Sequence, residues 1–266
     1  MKQLAFKLFL YMLLSMVGVR VLAYGTEIDG IYYELYEFHN GVRNADCVSN
    51  GRNKVGDVTI PPSVVYRSTT YTVTEINDCA FYECSGITSL SIPSSVRTIK
   101  QTAFIGCVNL TTITVDENCQ SFDSRNNCNA IIEKSTNCLI VGCKSSSIPS
   151  SVISIGKNAF AGCKGLTSVS IPNSVTNIDG GAFCGCAGLT TIRVDEENST
   201  YDSRNNCNAI IETNTNRLIV GCVNTTIPSS VNTIGENAFY GCTGLTSIDI
   251  PNSITTIGSG AFYGCI

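Results

Sequence analysis

Cysteine is the residue type in this chain best suited to chemistry. Fifteen occur in 266 residues, beside a single histidine, His39, and no tryptophan. In an exported chain that count suggests a disulfide framework. Spacing argues against it for six of them: Cys84, Cys107, Cys163, Cys186, Cys242 and Cys265 each stand three places after the phenylalanine of an Ala-Phe pair. One position repeated six times is a packing position, where cysteine serves as a small hydrophobe. Coils about 4.8 Å apart bring such thiols within Cα range, but with side chains parallel rather than facing. These six are expected to be buried free thiols. Cys128 with Cys143, and Cys207 with Cys222, are the candidate disulfides, because a simple hairpin register sets them opposite.

Other chemistries find less support. Asp116-Glu117-Asn118 and Asp195-Glu196-Glu197-Asn198, followed by Asp123 and Asp202, carry the oxygen ligands that Ca²⁺ prefers. Asp and Asn also close tight turns with their own side chains, and these loops are expected to be such turns. A Ser-His-Asp or Cys-His pair would need His39, which sits in a polar stretch with Asn40-Gly41 and no partner nearby in sequence. No metal, cofactor or catalytic residue is assigned. Regular repeats with small exposed side chains offer no deep pocket, so a non-catalytic protein is expected. The net charge of −4 and pI near 5.1 give no basic footprint and argue against nucleic acid.

The cysteine ladder belongs to a longer pattern. Ala-Phe recurs at Phe81, Phe104, Phe160, Phe183, Phe239 and Phe262, so spacings of 23 and 56 residues alternate. Ile-Pro recurs at Pro61, Pro93, Pro149, Pro172, Pro228 and Pro251. Residues 103–181 and 182–260 are identical at roughly two-thirds of positions, a period of 79. Within the short unit, Leu166, Val169 and Ile171 form the L-x-x-L-x-L signature of a leucine-rich repeat. Val169 and Ile171 alternate with serine, so one side of a short strand faces inward and the other faces water. Pro172 ends that strand. A single unit cannot close a core; stacked units bury the Leu, Ile and Phe of their neighbours.

The long unit adds two apolar runs around a polar tip, as in Phe122–Cys143 and Tyr201–Cys222, a β-hairpin pattern that sets Glu212 opposite Arg217. The expected architecture is a leucine-rich repeat solenoid over residues 76–266, β-rich with short turns on the return side. Hairpin inserts lie near 116–147 and 195–226, and residues 24–75 form an N-terminal β cap. Val65 to Val73 reads as one hairpin of that cap, with an Arg-Ser-Thr-Thr tip. The chain stops at Cys265-Ile266, partway through a unit.

Residues 1–23 have the form of a secretory signal. Lys2 and Lys7 precede an apolar run from Leu8 to Val19, and Val21-Leu22-Ala23 offers a cleavage site before Tyr24. The run is shorter than the about 20 residues of a spanning helix, and no second apolar stretch follows. Export would remove Lys2, Lys7 and Arg20 and move the net charge from −4 to −7.

Together, Ile-Pro-x-Ser-Val, Ile-Gly-x-x-Ala-Phe-x-x-Cys, Leu-Thr-Ser-Ile and the Asp-Ser-Arg-Asn-Asn-Cys-Asn-Ala-Ile-Ile-Glu hairpin make the chain resemble the BspA-like leucine-rich repeat family of bacterial surface and secreted proteins, of the gut Bacteroidetes type. The resemblance covers roughly residues 27–266 and implies a secreted or cell-surface binding protein that adheres to host extracellular proteins or neighbouring cells. Larger members have more repeats, and no C-terminal sorting module is evident here. The expected working surface is the outward side of the strands: Thr112, Thr114, Ser168, Ser170, Thr191, Arg193, Ser247 and Asp249. A broad, nearly flat face suits a protein ligand. Two alternatives stand beside it: a scaffold that assembles through its repeat ends, and a carbohydrate- or peptide-binding accessory protein, which a polar pocket lined by Tyr would favour.

Overall fold

The computed structural model describes residues 19–49 and 54–265. Two strand ladders run through it, and the N-terminal region starts both. In the first, Val55–Thr59 pairs in parallel with Gly86–Ile92, which pairs with Thr112–Val115, so Asp57, Ser89 and Thr112 share one row. In the second, Thr69–Ile76 passes the pairing to Thr98–Ile99, Glu75 opposite Thr98. Offsets of 23 residues recur in both, as in Ser168 opposite Thr191 and Ser154 opposite Asn177. The short spacing between Ala-Phe pairs is thus one full coil.

The N-terminal sheet is mostly antiparallel. Val19–Ile28, Ile31–Phe38 and Arg43–Val48 follow one another, and Arg43–Val48 then pairs in parallel with Thr69–Ile76. Ile31, Tyr33 and Leu35 alternate inward, as their spacing requires. Ser63–Tyr66 meets Thr69–Ile76 through a two-residue turn, narrower than the four-residue tip expected from sequence. Arg67 and Ser68 both take positive φ there (47° and 62°), the turn whose twist suits two adjoining strands. The expected export signal lies outside the described residues up to position 18. Val19–Ala23 open the first strand, so the expected cut falls within it.

Each 56-residue spacing contains a three-stranded antiparallel unit. In the second, Tyr201–Asp202, Ala209–Glu212 and Arg217–Gly221 pair in order, with Glu212 opposite Arg217. The last strand then pairs in parallel with Thr233–Ile234, rejoining the second ladder. Phe122–Asp123, Ile131–Glu133 and Cys138–Val141 do the same one period earlier.

These units divide the core. Buried side chains form three segments, each containing one stacked phenylalanine pair: Phe81 on Phe104, Phe160 on Phe183 and Phe239 on Phe262, with centroids 5.2, 5.1 and 5.0 Å apart. Ile131 and Val141 face the first segment, whereas Ile132 and Leu139 face the second. Ile210 and Val220 likewise face the second, and Ile211 and Leu218 the third. An antiparallel sheet apolar on both sides therefore separates each pair of coils from the next. Among the described residues no helix is long and apolar enough to cross a membrane.

Candidate functional site

The outward strand residues expected to form one face form two, with a remainder. Thr112 and Thr114 extend a three-stranded patch with Ser89 and Ser91. Ser168 and Ser170 pair with Thr191 and Arg193 in a separate two-stranded patch. Ser247 and Asp249 are exposed but lie outside any strand. Side chains of the antiparallel units end each patch. Ile113 accepts from the Ser124 hydroxyl through its carbonyl (3.0 Å) and donates its N–H to Asn129 Oδ1 (3.4 Å). Ser203 and Asn208 treat Ile192 the same way, at 3.3 and 3.4 Å. A hydroxyl and an amide satisfy the strand edge, so the ladder stops there.

A cavity of about 920 Å³ opens beside the second patch. Thr191 and Arg193 form one wall, Asp195 and Glu196 the rim, and Asn205, Asn206 and Asn208 the wall opposite. Arg193 stands where the preceding 79-residue copy has Thr114, and it makes no ion pair among the described residues. The three asparagines take positive φ (58°, 53° and 52°), which Asn tolerates better than most side chains.

Arg204, also on this cavity, is fully engaged. Its guanidinium grips Asp202 with Nε on Oδ1 (2.8 Å) and Nη2 on Oδ2 (2.5 Å), while Nη1 donates to Asn216 Oδ1 and Ser230 Oγ. Burial alone would raise the Asp202 carboxyl; the hydrogen bonds and charge of Arg204 outweigh it and hold the group below its ordinary range. Arg125 repeats the clasp on Asp123, Asn137 and Ser151. The Asp-Ser-Arg-Asn-Asn motif is thus a fastening for the antiparallel unit, which leaves Arg193 as the uncommitted cation of the site.

The acidic loops are turns. Asp116 accepts from the Asn118 N–H (2.8 Å) and Asp195 from the Glu197 N–H (2.9 Å). Among the described residues no group of three acidic, histidine or cysteine side chains is placed to hold a metal. His39 is exposed at the Phe38–Arg43 turn, where Asn40 Oδ1 accepts from the Val42 N–H.

All fifteen cysteines are free thiols. Five of the six ladder cysteines are buried, and Cys265 is half-buried. Several donate to the carbonyl of the preceding coil, as Cys107 does to Phe81 (3.2 Å) and Cys186 to Phe160 (3.1 Å). Burial pushes the Cys107, Cys163 and Cys242 thiols up to about 12. The candidate pairs stay unbonded for a geometric reason. Cys128 faces the second core segment and Cys143 the first; Cys207 faces the third and Cys222 the second. All four lie beyond the paired residues, Ile131–Glu133 with Cys138–Val141 and Ala209–Glu212 with Arg217–Gly221, so neither couple is held opposite across the sheet.

The BspA type leucine rich repeat region matches in six copies, over residues 63–138, 131–219 and 219–266. No curated protein matches the chain. Among solved structures it is similar to the pneumococcal vaccine antigen PcpA: 18% identity, 92% of this chain and 69% of that one covered, TM-score 0.51. A leucine rich cell surface protein of Faecalibacterium prausnitzii is 23% identical, with 90% and 74% covered and a TM-score of 0.44. A leucine-rich repeat protein of Bacteroides ovatus is 22% identical, with 91% and 80% covered and a TM-score of 0.43. The likeness to PcpA speaks for the fold alone. The repeat itself is matched from residue 63 to the last residue, and the chain belongs to the BspA-type leucine-rich repeat family.

Proposed function

We propose that the chain is an exported, non-catalytic protein-binding module of a bacterial surface or secreted protein, serving adhesion to host or neighbouring cells. Its architecture is a solenoid capped by residues 24–75 and interrupted by two hairpin inserts. Removal of the signal would still leave Thr26, Glu27 and Ile28 paired with Tyr33, Tyr32 and Ile31, so the first cap strand persists.

One observation carries the reading: Ser168, Ser170, Thr191 and Arg193 stand in register on an outward patch while Val169, Ile171 and Ile192 beneath them are buried. Short hydroxyl side chains lose little entropy when covered by a partner. Arg193, beside the open cavity, supplies the anchoring residue type that dominates protein interfaces. Surface plasmon resonance over immobilised host extracellular-matrix proteins tests this. Saturable binding by the monomer, weakened about tenfold in Arg193→Ala, is expected. Binding to none of them, or binding indifferent to Arg193→Ala, removes the reading.

A further inference from the structure

The turns after the Ala-Phe pairs hold a second, differently built site. The residue after each Ala-Phe pair occupies one place in successive turns, and backbone hydrogen bonds set the order. The N–H of Glu83 donates to Ile105 O, Gly106 to Ala161, Gly162 to Cys184, Gly185 to Tyr240 and Gly241 to Tyr263. The row therefore reads Tyr82, Ile105, Ala161, Cys184, Tyr240, Tyr263. Side chains shrink to a methyl and a thiol in the middle and return to phenols at either end. Glycines beside the small residues bare the backbone; a Cβ on Gly241 would lie 2.8 Å from Gly185 Cα. The result is a trough of about 1100 Å³, with Ala161 and Cys184 along its floor and Tyr82 and Tyr240 at its ends. Four ladder steps separate those rings, about 19 Å. Tyr240 is further backed by Tyr263, stacked at 5.1 Å.

Three rim residues hold side chains at a backbone cost. Glu83 (φ 54°) stands where the next turn has Gly106, and Asn158 (φ 60°) and Asn237 (φ 56°) stand where the following turns have Gly181 and Gly260. Left-handed backbone costs a non-glycine residue about 1 kcal/mol, least for Asn. All three line the trough. Neighbouring turns relieve the strain with glycine; these keep a carboxylate and two amides.

Ligand chemistry follows from what is offered. From Ile105 to Tyr263 each carbonyl of the row is taken by an N–H of the turn before it, so an extended peptide finds no strand edge there for main-chain pairing. Lys157, Lys164 and Arg217 line the same space as Glu83, Asp179, Glu212 and Glu236, so neither a polyanion nor a basic segment is matched by charge. Aromatic faces at the ends, with amides and charges of both signs between, suit flat apolar ring faces edged by hydroxyls. We propose that this trough binds a neutral oligosaccharide of roughly four sugar rings, a span and volume typical of a concave small-ligand site. Its outer rings stack on Tyr82 and Tyr240, and its hydroxyls meet Asn158 and Asn237. This site does not depend on the strand patch.

Saturation-transfer NMR on the full chain tests it with cellotetraose, xylotetraose and mannotetraose as probes, against a heparin tetrasaccharide and an acidic decapeptide. At least one neutral tetrasaccharide is expected to saturate below about 1 mM. Tyr240→Phe retains binding, and Tyr240→Ala weakens it about tenfold. Cys184→Tyr, which fills the floor with the residue next in the row, abolishes it, and Arg193→Ala leaves it unchanged. Tyr240 is exposed, and thermal melting reports the fold of each variant separately. Saturation by none of the three neutral probes, by the charged probes only, or binding unchanged in both Tyr240→Ala and Cys184→Tyr overturns the proposal.

Discussion

Gly221 lies against the ring of Phe239 so closely that a Cβ added to it would sit 2.1 Å from Phe239 Cε1. Gly142 meets Phe160 at the same distance one period earlier. The last strand of each antiparallel unit is thus pressed onto the first phenylalanine of the following coil. Gly221→Ala forces a fully buried ring to move and is expected to cost about 1–3 kcal/mol. Urea unfolding checks this; an unchanged midpoint would mean the ring has room to give.

Asn198 ties three segments together. Its amide donates to the carbonyls of Pro172 and Val175 in the preceding coil, while its Oδ1 accepts from the N–H groups of Thr200 and Tyr201. In the preceding 79-residue copy this place is Cys119, whose thiol reaches Val96 O at 3.5 Å. Asn198→Ala leaves buried backbone groups unpaired and is expected to lower stability by about 2–3 kcal/mol. Asn198→Cys, borrowing the other copy's solution, loses less. Equal losses in thermal melts of the two variants would contradict the account.

A row of carboxylates crosses the N-terminal sheet: Glu34 opposite Asp46, and Asp46 opposite Glu75. Burial, then the charge of Glu75, pushes Asp46 up to about 7. Thr74 (3.4 Å) and Lys100, which pairs with Glu75 at 3.1 Å, pull it back. The folded chain therefore holds a proton that an unfolded Asp, titrating near 3.9, has released. This contribution is full below about pH 4 and is lost as pH rises through about 7. Asp46→Asn is expected to remove that component. Melting of the variant at pH 5 and pH 8 should differ less than that of the parent; the same difference in both would refute the assignment.

Thiol accessibility gives a direct readout of the coils. Cys79, Cys138, Cys184 and Cys265 are half-buried, and the other eleven are buried. Native alkylation is expected to label at most these four. Cys184 should be slow at pH 8, because burial and Glu236 raise its thiol to about 11. Alkylation after unfolding without reductant should reach all fifteen. A native mass showing Cys128 and Cys143 bonded would mean that the antiparallel unit is packed differently.

Much of this fold was legible as periodicity. The 23-residue spacing of Ala-Phe became strand pairing at the same offset, and alternation of Val169 and Ile171 with serine placed the hydroxyls outside. The opposition of Glu212 and Arg217 followed from the length of a polar tip. What escaped was where the ladder stops. Ser124 and Asn129 look like turn residues, and nothing local marks them as caps on a strand edge, so a single outward face was expected where there are two. Nor did regular repeats predict clefts; one cavity opens beside an antiparallel unit, and the trough opens where the row carries Ala161 and Cys184. Two signals did stand in the sequence. Ile131-Ile132 and Ile210-Ile211 are apolar on both faces, the mark of a strand buried on both sides. And the residue after Ala-Phe runs from Tyr through Ala and Cys back to Tyr, which outlines the trough.

Sheets set across the core work as bulkheads. A poorly fitting side chain or an oxidised thiol in one chamber meets a wall of Ile, Val and Leu before it reaches the next. Strain in one chamber is therefore expected to fall first on the side chains of that chamber.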